Sequence, residues 1–244
     1  MGSAKEYWFQ IQEEERDRWI REHLDDEEAD EETEGWDELA HEFAMMLEAQ
    51  ELEAEYQWFK KQSYSEIHKT FIREIKTLRE LVTTQVAIHH EQTFYKMMYA
   101  HSVTLLESFL GDTVKSLVVK NNKYFENAIR NVDDLKKSKF SLTEISVQAD
   151  GALGLAVKSL SDVLYHNIPK VSKILDAILG CELSLKLDKT VHITKVRHDI
   201  VHRNGKTIKD DLIHIDVDTV KQAIDDIEEF VESLQLKLDE LENT

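Results

Sequence analysis

Apolar residues recur every three or four positions along most of the chain, the spacing of one buried face of an α-helix. Ile67, Phe71, Ile75, Leu78 and Val82 form one such stripe, and Phe94, Met98, Leu105 and Phe109 form a second, with a bend or break expected near residues 90–95. Val220, Ile224, Ile227, Val231, Leu234 and Leu238 form a third on a closing helix, for which Asp218 is the expected cap. With one proline and seven glycines in 244 residues, turn signals are few. The pattern predicts an all-α fold, an antiparallel helical bundle with an extra acidic helical region at its N-terminal end.

Taken in order, residues 5–22 read as an amphipathic helix with Trp8, Ile11 and Trp19 near one face. A run of acids from Asp25 to Glu34, expected to stay solvated and poorly ordered, separates it from a second helix through Trp36, Leu39, Phe43 and Met46 to about Lys61. Residues 1–62 thus make an acidic, tryptophan-bearing helical region, residues 63–92 a connecting helix, and residues 93–244 the bundle. Within the bundle, residues 123–142 suggest a short helix and a lysine-rich loop, and a helix is expected from Thr143 to Tyr165, weakened by Gly151 and Gly154. Asn167-Ile168-Pro169 marks a helix start and Gly180 its stop. Leu183-Leu185-Leu187 is compatible with a short strand or an extended connection, and residues 212–217 also alternate. Between them a helix should run from about Leu187 to Asn204-Gly205.

The net charge of −19 is unevenly spread. Residues 1–61 carry 21 acids against 6 bases, whereas residues 115–209 carry 17 bases against 10 acids. An acidic head and a basic middle suggest either a polyanionic partner or a contact between the two. The lone cysteine, Cys181, excludes an internal disulfide. No apolar run has membrane-spanning length and no secretory leader pattern is evident, so a cytoplasmic protein without a membrane partner is expected.

The chemistry concentrates in Val196-Arg197-His198-Asp199-Ile200-Val201-His202-Arg203-Asn204-Gly205. Ile193, Val196 and Ile200 form the inward stripe of this helix, which turns His198 and His202 away from the core. Arg197 and His202 are five apart and diverge by about 140° on a regular helix, so they can share a phosphate only across a two-fold axis or if the helix end unwinds. An imidazole to move protons and a guanidinium to hold developing phosphorane charge suit RNA cleavage by its own 2′-hydroxyl. Lys195, Arg203 and Lys206 are candidate RNA-backbone contacts. His198 and His202 also have the spacing of two helix-borne zinc ligands, although Asp199 stands where a metalloprotease motif has glutamate and no third ligand is evident nearby.

Arg197, a polar residue after it, and His202 resemble the arginine-x4-6-histidine signature of the HEPN superfamily (higher eukaryotes and prokaryotes nucleotide-binding domain). A motif helix followed by one closing amphipathic helix is also similar, and the resemblance spans about residues 93–242. It implies a homodimeric helical bundle that is frequently a metal-independent, cofactor-free endoribonuclease of toxin-antitoxin, abortive-infection or antiphage systems, with RNA as substrate and an antitoxin or defence protein as partner. By this resemblance His202 is the general acid and base, Arg197 the phosphate stabiliser and His198 an assistant. Glu107 resembles the acid often found on an early helix of the family, and Asp199 and Asn204 are supporting residues. Asn204 stands where one subgroup carries a nucleotide-accepting tyrosine, which argues against control by that modification and turns attention to the acidic head. A non-catalytic dimerisation or partner-binding module is the alternative within the same fold.

Overall fold

The computed structural model describes residues 4–147 and 150–242, and these are all helical apart from their connections. The elements are α1 (Ala4–Leu24), α2 (Trp36–Lys61), α3 (Tyr64–Leu81), a 3-10 turn at Ile88–His90, α4 (Glu91–Lys120), α5 (Asn122–Asn131), α6 (Asp133–Lys137), α7 (Leu142–Val147), α8 (Ala152–Ser161), α9 (Ile168–Leu179), α10 (Asp188–His202) and α11 (Val217–Glu242). Leu183 to Leu187 is an irregular connection, neither strand nor fully extended, with Ser184 at φ +51° and Leu187 already in the helical region, and residues 206 and 212 make a single isolated bridge.

Helix α4 is the axis of the molecule. It packs on α2, α3, α5, α8, α9, α10 and α11. Its C-terminal half is mostly buried, with Phe109, Leu110, Gly111, Thr113, Val114, Ser116, Leu117 and Val118 all withdrawn from solvent, and only a narrow line through Ser108, Asp112, Lys115 and Val119 stays open or partly open. The stripe of α3 contributes Ile67, Phe71, Ile75 and Leu78 to the same core, together with Val82 just beyond it, so this segment is part of the bundle's packing. Helix α11 closes the core with Val220, Ile224, Ile227, Val231, Leu234 and Leu238. Arg79 on α3 pairs with both Asp225 and Glu228 on α11, while Lys189 on α10 reaches Asp226 and Glu229 at 2.8 and 2.9 Å.

Several boundaries depart from the expectation. The break before α4 falls at residues 82–87, where the buried stripe of α3 ends, and α4 is already regular from Glu91. The closing helix starts at Val217, and its cap is Asp216, whose carboxylate accepts from the Thr219 N–H at 2.8 Å and the Thr219 hydroxyl at 2.6 Å. Asp218 lies one residue inside the helix. The helix expected from Thr143 to Tyr165 is divided into α7 and α8, with Gly151 at φ +54° opening the second; residues 148 and 149 lie outside the described residues. Asn167 caps α9 by accepting from the Lys170 N–H.

The acidic run is folded. Ala29, in its middle, is buried with Ile20 and Trp36 in a small satellite core flanked by Trp19, Leu24, Leu39 and Ala40. Arg21 Nε donates to the Ala29 carbonyl at 2.9 Å, and Asp26 and Asp30 accept from the N–H groups of Glu28 and Glu32. The acids satisfy their own loop's donors while a few apolar side chains close it, which overcomes the like-charge repulsion expected of the run. Helix α1 packs on α2, and α2 in turn lies on α4 and α8. Lys115 on α4 meets Glu55 at 2.8 Å and sits 4.7 Å above the Phe59 ring, and Lys158 on α8 pairs with Glu48. The side chain of Trp8 is outside the described residues.

Candidate functional site

Helix α10 runs antiparallel to α4: Gly205 lies against Lys96 near the start of α4, and Arg197 lies against Glu107 more than two turns further along it. Thr190, Ile193 and Thr194 hold its first half in the core, and Val196 and Ile200 pack against the core edge. The helix stays regular through His202. It then stops because Asn204 and Gly205 both take left-handed backbone conformations, φ +52° and +74°, and the Gly205 N–H turns back to the Asp199 carbonyl at 3.2 Å. Asn is one of the few side chains that tolerates such a φ, and a Cβ on Gly205 would come within 2.5 Å of Lys96 Nζ.

The motif residues divide into two groups. Lys195, His198 and His202 are exposed and fall within about 60° of one another around the helix. The two imidazole rings lie 4.8 Å apart between centroids, tilted by 44°. Beside them Asp199 is buried and held by Arg203, so this arginine is tied to its own helix as well as being partly open to solvent. Lys206, past the helix end, pairs with Asp210 at 2.7 Å. His192, also exposed on α10, adds a third imidazole to the outward surface; it is separated from His198 by nearly two turns and carries no motif signal.

Arg197 belongs to the other group. It is half-buried between α10 and α4, with Nη2 at 3.7 Å from Glu107 Oε2, and its buried Nε has no hydrogen-bond partner among the described residues. The other oxygen of Glu107 stands 3.1 Å from Nδ1 of His166, which lies in the connection just before α9. One carboxylate thus sits between a guanidinium and an imidazole contributed by separate elements. The sequence places Glu107 only by resemblance, and His166 not at all, because no period links a loop histidine to a helix sixty residues earlier.

Within one chain, therefore, Arg197 and His202 are not brought to a common point: one turns toward α4 and the other to solvent. Among the described residues no group of three or more His, Cys, Asp or Glu is arranged to hold a metal ion. Nor is any described helix long and apolar enough to cross a membrane.

These features define an all-helical protein with an imidazole-rich outward surface on one helix and a half-buried Glu-Arg-His cluster behind it. No protein-family model, no curated protein and no solved structure matches the chain.

Proposed function

We propose that the chain is a metal-independent endoribonuclease of the HEPN type, acting in a toxin or antiphage-defence setting, with its catalytic centre assembled between two copies. The observation that supports this reading is the exposed His198–His202 pair, 4.8 Å apart beside Lys195 on the outward surface of the Arg197-x4-His202 helix. A two-fold axis near this surface would present the imidazole stripe twice, and Arg197, which lies off the stripe against α4, would have to swing out from Glu107 at the seam for Arg197 of one copy and His202 of the other to serve one phosphate. His202 takes the proton from the attacking 2′-hydroxyl or returns one to the departing 5′-oxygen, and His198 assists. The cleavage leaves a 2′,3′-cyclic phosphate and a 5′-hydroxyl. Arg197, steadied by Glu107, offsets phosphorane charge, while Lys195, Arg203 and Lys206 hold flanking phosphates. Asp199 fixes Arg203, and Asn204 sets the turn that ends the helix.

The test is RNA cleavage by purified protein, wild type against His202→Ala and Arg197→Ala, at matched folding. Each variant alone should lose activity. Mixed after subunit exchange, they should recover about a quarter of the wild-type rate, because half the dimers carry one intact composite site out of two. No wild-type cleavage above background overturns the nuclease reading, and loss without recovery on mixing overturns the composite site.

The contact of Arg197 with Glu107 favours a second reading, a non-catalytic dimerisation or partner-binding module in which Arg197 only ties α10 to α4. That reading expects Arg197→Ala to lower stability, and neither variant to change how RNA is processed.

A further inference from the structure

Independently of α10, the end of α2 together with α3 and α4 lines a recess of about 180 Å³. Its apolar wall is Trp58, Ile67, Phe71, Leu105 and Phe109, and two carboxylates, Glu74 and Asp112, stand on its lining. Phe71 and Phe109 are buried and pack at 5.2 Å between ring centroids, whereas Trp58, set edge-on to Phe59 at 4.7 Å, is 43% exposed. Trp58 is one of several large apolar side chains left exposed, and it stands on the lining of this recess together with two carboxylates.

Asp112 is the informative member. Its nearest ion-pair partner is Lys115 at 4.0 Å, but that ammonium is closer to Glu55, at 2.8 Å, and lies above the Phe59 ring. Burial holds the Asp112 carboxyl above its ordinary range, and Glu55 adds to the effect; the ammonium of Lys115 opposes both. A carboxylate partly withdrawn from water, a third of it still exposed, gains from a closer cation than Lys115 provides. The same neighbourhood already shows the preferred occupant in miniature, an ammonium set between an aromatic face and carboxylates.

We infer that this recess is a binding site for a small organic cation, an ammonium carried on a single apolar ring. The ring would rest among Trp58, Phe71 and Phe109, and the ammonium would reach Asp112, with Glu74 adding to the negative field. Size supports a single-ring body, since the recess is close to the roughly 150 Å³ that accommodates one benzene. Sign supports a cation, since both ionisable groups lining the recess are acids; Glu74 is paired with Arg73 at 3.0 Å, so Asp112 carries the larger share of the field. A nucleotide is excluded on both counts.

The test is titration of the full chain with 2-phenylethylammonium, followed by calorimetry, with 3-phenylpropanoate as the anion of the same body. The amine should bind saturably and the acid should not. Asp112→Asn, which preserves shape, should weaken the amine by about tenfold or more, the loss expected for a charge-assisted contact. Trp58→Leu should weaken it by a comparable factor, and should also abolish whatever part of the tryptophan fluorescence change the ligand causes. If Asp112→Asn does not fold, Glu74→Gln and the Trp58 variant carry the test, each expected to weaken the amine. No saturation by 2-phenylethylammonium, equal binding of the two probes, or unchanged affinity in the variants overturns the proposal.

Discussion

The Glu107–Arg197 contact can be weighed before any RNA is added. At 3.7 Å the Coulomb attraction is about 4.5 kcal/mol with an effective dielectric constant of about 20. Both side chains are largely withdrawn from water, 21% and 19% exposed, so desolvation offsets much of that gain. The separation also exceeds a hydrogen bond; the other Glu107 oxygen stands 3.1 Å from His166 Nδ1 but makes no hydrogen bond among the described residues. A coupling of about 1–2 kcal/mol remains, worth about 2–4 °C of melting temperature per kcal/mol in a chain of this length. Four proteins measure it: wild type, Glu107→Gln, Arg197→Met, which keeps a long apolar stem, and the double variant, each unfolded in urea. The double variant should be more stable than the sum of the single losses implies, by that coupling. Additivity within about 0.3–0.5 kcal/mol would refute the argument, because it would mean that Glu107 does not hold Arg197 in place. The same four proteins in the RNA assay separate bracing from catalysis: Glu107→Gln should reduce cleavage far less than Arg197→Met.

Two further outcomes follow from local geometry. The hydroxyl and N–H of Thr219 hold the Asp216 carboxyl below the usual carboxylate range, so its contribution is present above the unfolded-state value and lost as pH falls through the folded one. The stability gap between wild type and Asp216→Ala, followed by urea unfolding, should therefore be constant near neutrality and close below about pH 4; a gap that widens on acidification would contradict the cap. Gly205→Ala should cost about 1–2 kcal/mol from the left-handed backbone alone, since the Lys96 ammonium can swing aside. A neutral result in denaturant titration would show that the turn after His202 is not fixed as described.

The sequence was informative wherever burial was one-sided. Ile67 to Val82 and Val220 to Leu238 each line a single face, and both stripes are core as expected. The outward aspect of His198 and His202 followed from the same arithmetic, since their neighbours Ile193, Val196 and Ile200 fixed the inward side. Period failed where burial was nearly complete: in the second half of α4 only a narrow line through Ser108, Asp112, Lys115 and Val119 stays open, and the buried line through Tyr99, Val103, Leu106 and Leu110 differs from the one chosen from Phe94 and Met98. It failed again for the acidic run, whose order rests on Ala29 and Trp36, two residues that composition outweighs. The meeting of Glu107, His166 and Arg197 was beyond reach because it depends on where the chain arrives before α9, a tertiary result with no local signature.

The central position of α4 has a consequence for how the molecule opens. Its C-terminal half can lose its backbone hydrogen bonds only when its neighbours separate, so its amides should exchange with solvent at the rate of global unfolding. Helix α1, which leans on α2, can detach with the rest of the core intact, and its amides should exchange far faster. Glu107 and Asp112 lie on that same rod, five residues apart, one facing the Arg197 cluster and the other the aromatic recess. A ligand that slows exchange in the recess would then also slow it at the Arg197 contact, since neither place can open without the helix they share.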